Sequence, residues 1–171
     1  RFADVFGLAY RRFSDLQKAE AQAREAQIQL ALERVRARTM AMQRSDELTE
    51  VAGLLFNQLT DLGIKTWTTG FNVWSEDNNF YTDYITSPKG GFIPPYIVDL
   101  SKTSVFREIR DARKKGIEFF VQYADGEALK QTYIELAAFG DEKQYDKMLE
   151  DGVQFPSHQY DHFVFGSKVS L

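Results

Sequence analysis

FADVFGLAYRRFSDLQKAEAQAREAQIQLALERVRARTMAMQR, residues 2–44, contains no proline and a single glycine, Gly7, and its apolar side chains recur at intervals of three and four. That spacing predicts one long helix. At about 1.5 Å per residue it would reach on the order of 60 Å. A core of this size cannot bury such a helix along its whole length. Pairing with another helix, most simply its own copy in a parallel homodimer, is the expected solution.

The seam of that pairing is readable in two runs. Phe2, Phe6, Ala9, Phe13 and Leu16 alternate spacings of four and three, and so do Ile28, Leu32, Val35, Thr39 and Met42. Strict heptads counted on from Leu16 land on Glu20, Ala23, Gln27, Leu30 and Arg34, so the two runs do not share a frame. The shift falls in the alanine-rich stretch 19–26, where small side chains let either face serve. One reading is a built-in register switch. The other is that the early aromatic residues pack on a neighbouring domain and the later ones form the coil. The expected dimer contacts are Phe13, Leu16, Ala23, Ile28, Leu32, Val35 and Met42.

Roughly 125 residues follow, enough for one domain with its own core. Ser45, with Asp46 and Glu47 behind it, reads as a helix N-cap, which leaves open whether the long helix breaks here or continues. Leu48, Val51, Ala52, Leu55, Phe56 and Leu59 form an apolar stripe, so 46–62 reads as a helix stopped by Gly63. The period then changes to two. Residues 66–74 and 80–86 read as a hairpin around Ser75–Asn79, with Trp67, Phe71 and Val73 on one face. A Pro/Gly loop covers 87–95. Val105, Phe106, Ile109 and Ala112 mark a second amphipathic helix ending at Gly116. Ile117–Tyr123 reads as a strand, and 125–139 as a helix with Asp125 at its cap and Leu129, Tyr133 and Leu136 inward. Residues 141–150 read as a short helix, and 159–165 and 168–171 as strands. The expected fold class is α+β: a long coiled-coil helix over 1–44, then an antiparallel sheet flanked by helices over 45–171.

Composition narrows function by exclusion. The net charge is −4 and the pI near 5.3, without the basic surplus of a nucleic-acid binder. Arg34, Arg36 and Arg38, and the Arg113–Lys115 run, read as a solvated helix face or a helix C-terminus. With no cysteine there is no disulfide, zinc–thiolate site, cysteine nucleophile or thioether-linked chromophore. That absence suits a cytoplasmic location. No apolar run is long enough to cross a membrane, so no membrane contact is expected of this stretch.

No catalytic or metal site is expected, and no cofactor. His158 and His162 flank Asp161, but Pro156 and the local alternation place them on a strand, about 13 Å apart at Cα, too far for one ion. Lys89-Gly90-Gly91 lacks the rest of a phosphate loop. Ser14, Ser45 and Ser157 lie in no nucleophile elbow, and Asp146 and Glu150 share an ordinary helical face. Nineteen of the twenty-four aromatic residues lie between Trp67 and Phe165, which reads as a filled core or as a cavity for a flat small molecule. In the second case Trp67, Phe71, Tyr84, Phe119 and Tyr160 line it.

The run Ala23–Ile28, then Ala31-Leu32-Glu33-Arg34-Val35-Arg36-Ala37-Arg38-Thr39-Met40-Ala41-Met42 and Ser45–Leu48, resembles a segment of multidomain bacterial sensor proteins, where it precedes a GAF-like sensory domain, often in histidine kinases. Arg1–Phe6 and Tyr10–Glu20 resemble the closing helix of a preceding domain of the same kind. The resemblance implies a GAF-like fold over 45–171, incomplete at its C-terminus, with a ligand pocket beside the sheet. It also implies a role in two-component signal transduction, with other domains of the parent protein as partners. The chain lacks the cyclic-nucleotide motif of some GAF domains, a phosphoacceptor-histidine box and ATP-binding glycine boxes. The expectation is a non-catalytic signal-transmission module. A pure dimerisation module without ligand and a small enzyme using the aromatic cavity are the alternatives.

Overall fold

The computed structural model describes residues 2–87, 91–138 and 142–166. It is α+β, a long N-terminal helix followed by helices and antiparallel sheets. Helix α1 runs Phe2–Met40, and α2 runs Leu48–Asp61 after a 3-10 turn at Ser45–Glu47. The break between them is set by Glu47 and not by the expected Ser45 cap. The Glu47 carboxylate accepts from the Gln43 and Arg44 backbone N–H groups, each at 3.1 Å. Helix α2 closes at Gly63 (φ +76°), as expected, with the Ile64 N–H donating to the Leu59 carbonyl.

Strands β1 (Gly70–Trp74), β2 (Phe80–Ile85) and β3 (Tyr96–Asp99) form one sheet in that order. Residues 66–69 lie ahead of β1, so Trp67 is not on its face. Strand β3 has no counterpart in the sequence reading. It pairs antiparallel with β2, Tyr81 opposite Val98 and Asp83 opposite Tyr96. Helix α3 (Ser104–Lys114) starts at Thr103, whose hydroxyl accepts the Phe106 N–H. Strand β4 (Phe119–Asp125), helices α4 (Gly126–Ala138) and α5 (Glu142–Glu150), and strand β5 (His158–Val164) are the remaining elements among the described residues. β4 and β5 form a second, two-stranded antiparallel sheet. The expected strand at 168–171, Lys89-Gly90 and the helix start at Asp141 lie outside the described residues.

Two compact units emerge: Arg1–Phe71 with Tyr84–Pro95, and Asn72–Asp83 with Tyr96–Leu171. In the first, α1 and α2 pair antiparallel. Arg24 Nη2 reaches the Leu62 carbonyl at 3.0 Å, Arg34 Nη1 the Gln58 Oε1 at 3.2 Å, and Arg38 holds Glu47 at 2.9 Å and Glu50 at 2.6 Å. Ala31, Val51 and Ala52 are buried. In the second, Val105, Phe106, Ile109 and Ala112 of α3 are all buried, as their spacing requires. The first three of these join Tyr81, Leu100, Leu129, Tyr133 and Tyr145 in one hydrophobic core.

Candidate functional site

The expected dimer residues fall into two groups. Phe13, Leu16 and Ala23 lie exposed on the part of α1 preceding Arg24, where α2 has its C-terminal end. Ile28, Val35 and Met42 are half-buried, Ile28 and Val35 along the stretch of α1 that pairs with α2, whereas Leu32 points outward and is exposed. The frame shift at 19–26 therefore coincides with the place where α2 stops covering α1. Arg38 takes the helix C-terminus reading and not the solvated-face one: it lies in the last turn of α1 and clamps two carboxylates of the following turn and helix.

The five aromatic residues expected to line a cavity divide between the two units. Trp67, Phe71 and Tyr84 belong to the first, with Phe71 and Tyr84 half-buried and Trp67 exposed. Phe119 and Tyr160 belong to the second, both exposed on the same face of β4–β5. The alternation in β4 is as expected, but its covered side carries Phe120, Gln122 and Ala124, and the open side Phe119, Val121 and Tyr123.

The covered side of the second unit holds a polar arrangement that the sequence reading missed. Gln122 is 2% exposed; its Nε2 donates to the Val105 carbonyl and to Glu108 Oε2, both at 2.9 Å. Those two acceptors orient the amide and leave Oε1 buried without a hydrogen-bond partner. Asp161 stands opposite it in the strand register. Burial raises the Asp161 carboxyl above its ordinary value, against a 2.6 Å bond from Gln159 Nε2 that lowers it. The Tyr133 hydroxyl donates to Gln159 Oε1. Asp83 accepts from Asn72 Nδ2 at 2.9 Å and from the Tyr96 hydroxyl at 3.0 Å. Burial, reinforced by the Asp83 and Asp161 charges, keeps the Tyr81 hydroxyl firmly protonated. Only the polar character of Gln122 in an alternating strand could have signalled this cluster, and alternation alone assigns it to solvent.

Chemically, this interior is a set of oriented acceptors and protonated tyrosines. Among the described residues no group of three His, Cys, Asp or Glu side chains could hold a metal ion. His158 and His162 lie on β5, as read, and are exposed. Ser157 Oγ approaches His158 Nδ1 at 3.3 Å, but as exposed chain neighbours. Arg113 lies in the last turn of α3, the helix C-terminus that is one of the two readings of its run, and is half-buried rather than solvated. Its guanidinium stacks 4.7 Å over the Trp74 ring, and Nε donates to Asn78 Oδ1 at 3.0 Å. Among the described residues, no helix is long and apolar enough to cross a membrane. Compared with known proteins, the chain matches no family model, no curated protein and no solved structure.

Proposed function

We propose that this chain is a non-catalytic signal-transmission module of a bacterial sensor protein, with a GAF-like domain and an input helix that pairs in parallel with that of a second copy. The observation that carries the reading is the open N-terminal half of α1, where Phe6, Phe13 and Leu16 are exposed on a helix that α2 covers only beyond Arg24. Apolar side chains at that spacing are stabilised by a second helix. A change in packing at 19–26 would then pass a signal along the helix, and a differential of a few kcal/mol between two packings is sufficient.

Because the chain has no cysteine, one introduced cysteine reports on pairing without interference. Leu16→Cys and Leu32→Cys, oxidised separately, are expected to give disulfide-linked dimers, since parallel helices bring identical positions together. Monomer at both positions overturns the reading.

The second reading, an interaction module without ligand, is favoured by the ring cluster of Tyr133, tilted against Phe155 at 4.7 Å, and Tyr145, stacked on Phe155 at 5.0 Å, which packs into the core of the second unit. A thermal-shift screen of small metabolites separates the two. A saturable rise in Tm supports the sensory reading, and none across the screen supports the second.

A further inference from the structure

Among the described residues, the outward face of β4–β5 is an open and largely apolar surface of the second unit. Register partners Phe119 and Val164, Val121 and His162, and Tyr123 and Tyr160 share it. Phe119 stacks on His162 with centroids 6.2 Å apart, and Tyr123 tilts against Tyr160 at 4.9 Å. These contacts hold the rings in place without covering them: Phe119 is 58% exposed, Tyr160 61% and Val164 78%.

An aromatic side chain carries roughly 150–250 Å². Three such rings about half exposed, with two valines beside them, leave on the order of 500 Å² open, at the upper end of what a single chain shows. Two faces of this size brought together reach on the order of 1,000 Å², the scale that a specific interface needs. Charge points the same way. Among the described residues the face bears no lysine, arginine or glutamate, the depletion typical of interface centres. Its one carboxylate, Asp125, lies at the end of the ribbon opposite His158.

We propose that this face is a self-association surface on which a second copy of the chain packs, ribbon against ribbon. A two-fold axis running along the strands lays β4 of one copy over β5 of the other. Asp125 then meets His158 of the partner subunit, a carboxylate acceptor opposite a ring that offers an N–H, and Tyr123 meets Tyr160 of the partner subunit, so polar and apolar groups are both complementary. Sheets packed in this way align within about 30°. The surface is separate from α1 and does not depend on helix pairing.

Sedimentation velocity over a concentration series tests it on four proteins: the parent chain, Tyr160→Asp with Val164→Lys, Phe13→Glu with Leu16→Glu, and all four substitutions together. The ribbon pair is expected to lower the assembled mass about twofold relative to its own background, in both the parent and the helix-substituted chain. No change in either background overturns the proposal. So does a helix-substituted chain that stays monomeric at high concentration, an outcome that leaves helix pairing standing and assigns the face to a different partner. Should the ribbon pair fail to fold by circular dichroism, Val121→Cys replaces it. Capture of Val121→Cys as a dimer by a bis-maleimide linker supports the proposal, and monomer overturns it.

Discussion

Gln122 and Asp161 face each other as register partners on the covered side of β4–β5, an amide oxygen without a hydrogen-bond partner opposite a carboxyl held high by burial. Gln122 lies between Phe120 and Ala124 on β4, Asp161 between Gln159 and Phe163 on β5, and each is held by a different neighbour. Gln122 is oriented from α3, and Asp161 through Gln159 and Tyr133. Gln122 thus anchors β4 to α3, and the Asp161–Gln159–Tyr133 chain anchors β5 to α4.

Gln122→Glu should expose how strictly the amide is required. A carboxylate there meets the Val105 carbonyl and the Glu108 carboxylate with no donor to offer. An uncompensated buried charge costs about 3 kcal/mol or more, so the urea midpoint should fall at neutral pH and recover partly in acid as the new carboxyl takes up a proton. An unchanged midpoint at neutral pH would show that the site is wet.

Asp161 sets a pH dependence of stability. Its folded pKa lies above the unfolded value, so the folded state binds the proton more tightly. The contribution is fully present below the unfolded pKa and is lost as pH rises through the folded pKa. Asp161→Asn should therefore gain stability over the parent as pH rises toward neutral, with the difference vanishing in acid. Chemical unfolding of both proteins across that range measures it, and a difference independent of pH would refute the assignment.

At the α1–α2 corner the sign is opposite. Backbone donation from Gln43, followed by the Arg38 guanidinium, holds the Glu47 carboxyl below its ordinary value. The stability it adds is present above the unfolded pKa and lost as pH falls through the folded one. Glu47→Ala leaves the Gln43 and Arg44 amides without their acceptor. Hydrogen exchange at those two amides should speed up while the α3 core amides keep their protection. Uniform acceleration would instead mean global destabilisation.

Gly70→Ala should be costly for a steric reason. A β-carbon at Gly70 would sit 2.0 Å from the Tyr84 carbonyl oxygen and 2.8 Å from Ile85 Cα, neither of which can move without opening the hairpin. Overpacking against backbone predicts a loss of about 3 kcal/mol, read as a drop in Tm. At Gly63, where φ is +76° and nothing lies within 4 Å, any penalty of alanine comes from backbone strain alone.

Elements with a strong local period were legible from residues alone. The α3 stripe of Val105, Phe106, Ile109 and Ala112 is buried throughout, and Gly116 ends the turn at φ +73°. Strand β3 was not legible, because four residues behind Pro94-Pro95 are too few to show alternation, and their strand identity comes from pairing with β2. The covered face of β4 was invisible for another reason. Its most deeply buried residue is a glutamine, satisfied by acceptors on α3 that are remote in sequence. The five aromatic candidates share a composition, but their division between two units follows from chain topology.

The amino-acid order by itself determined the long helix, the amphipathic helices and their glycine stops, because these depend on contacts within one or two turns. Tertiary structure alone decided which part of α1 the chain covers for itself, which side of β4–β5 turns inward, and that Gln122 and Asp161 lie opposite each other on that side. Those outcomes depend on free energies of burial shared between segments far apart in sequence, and no local pattern records them.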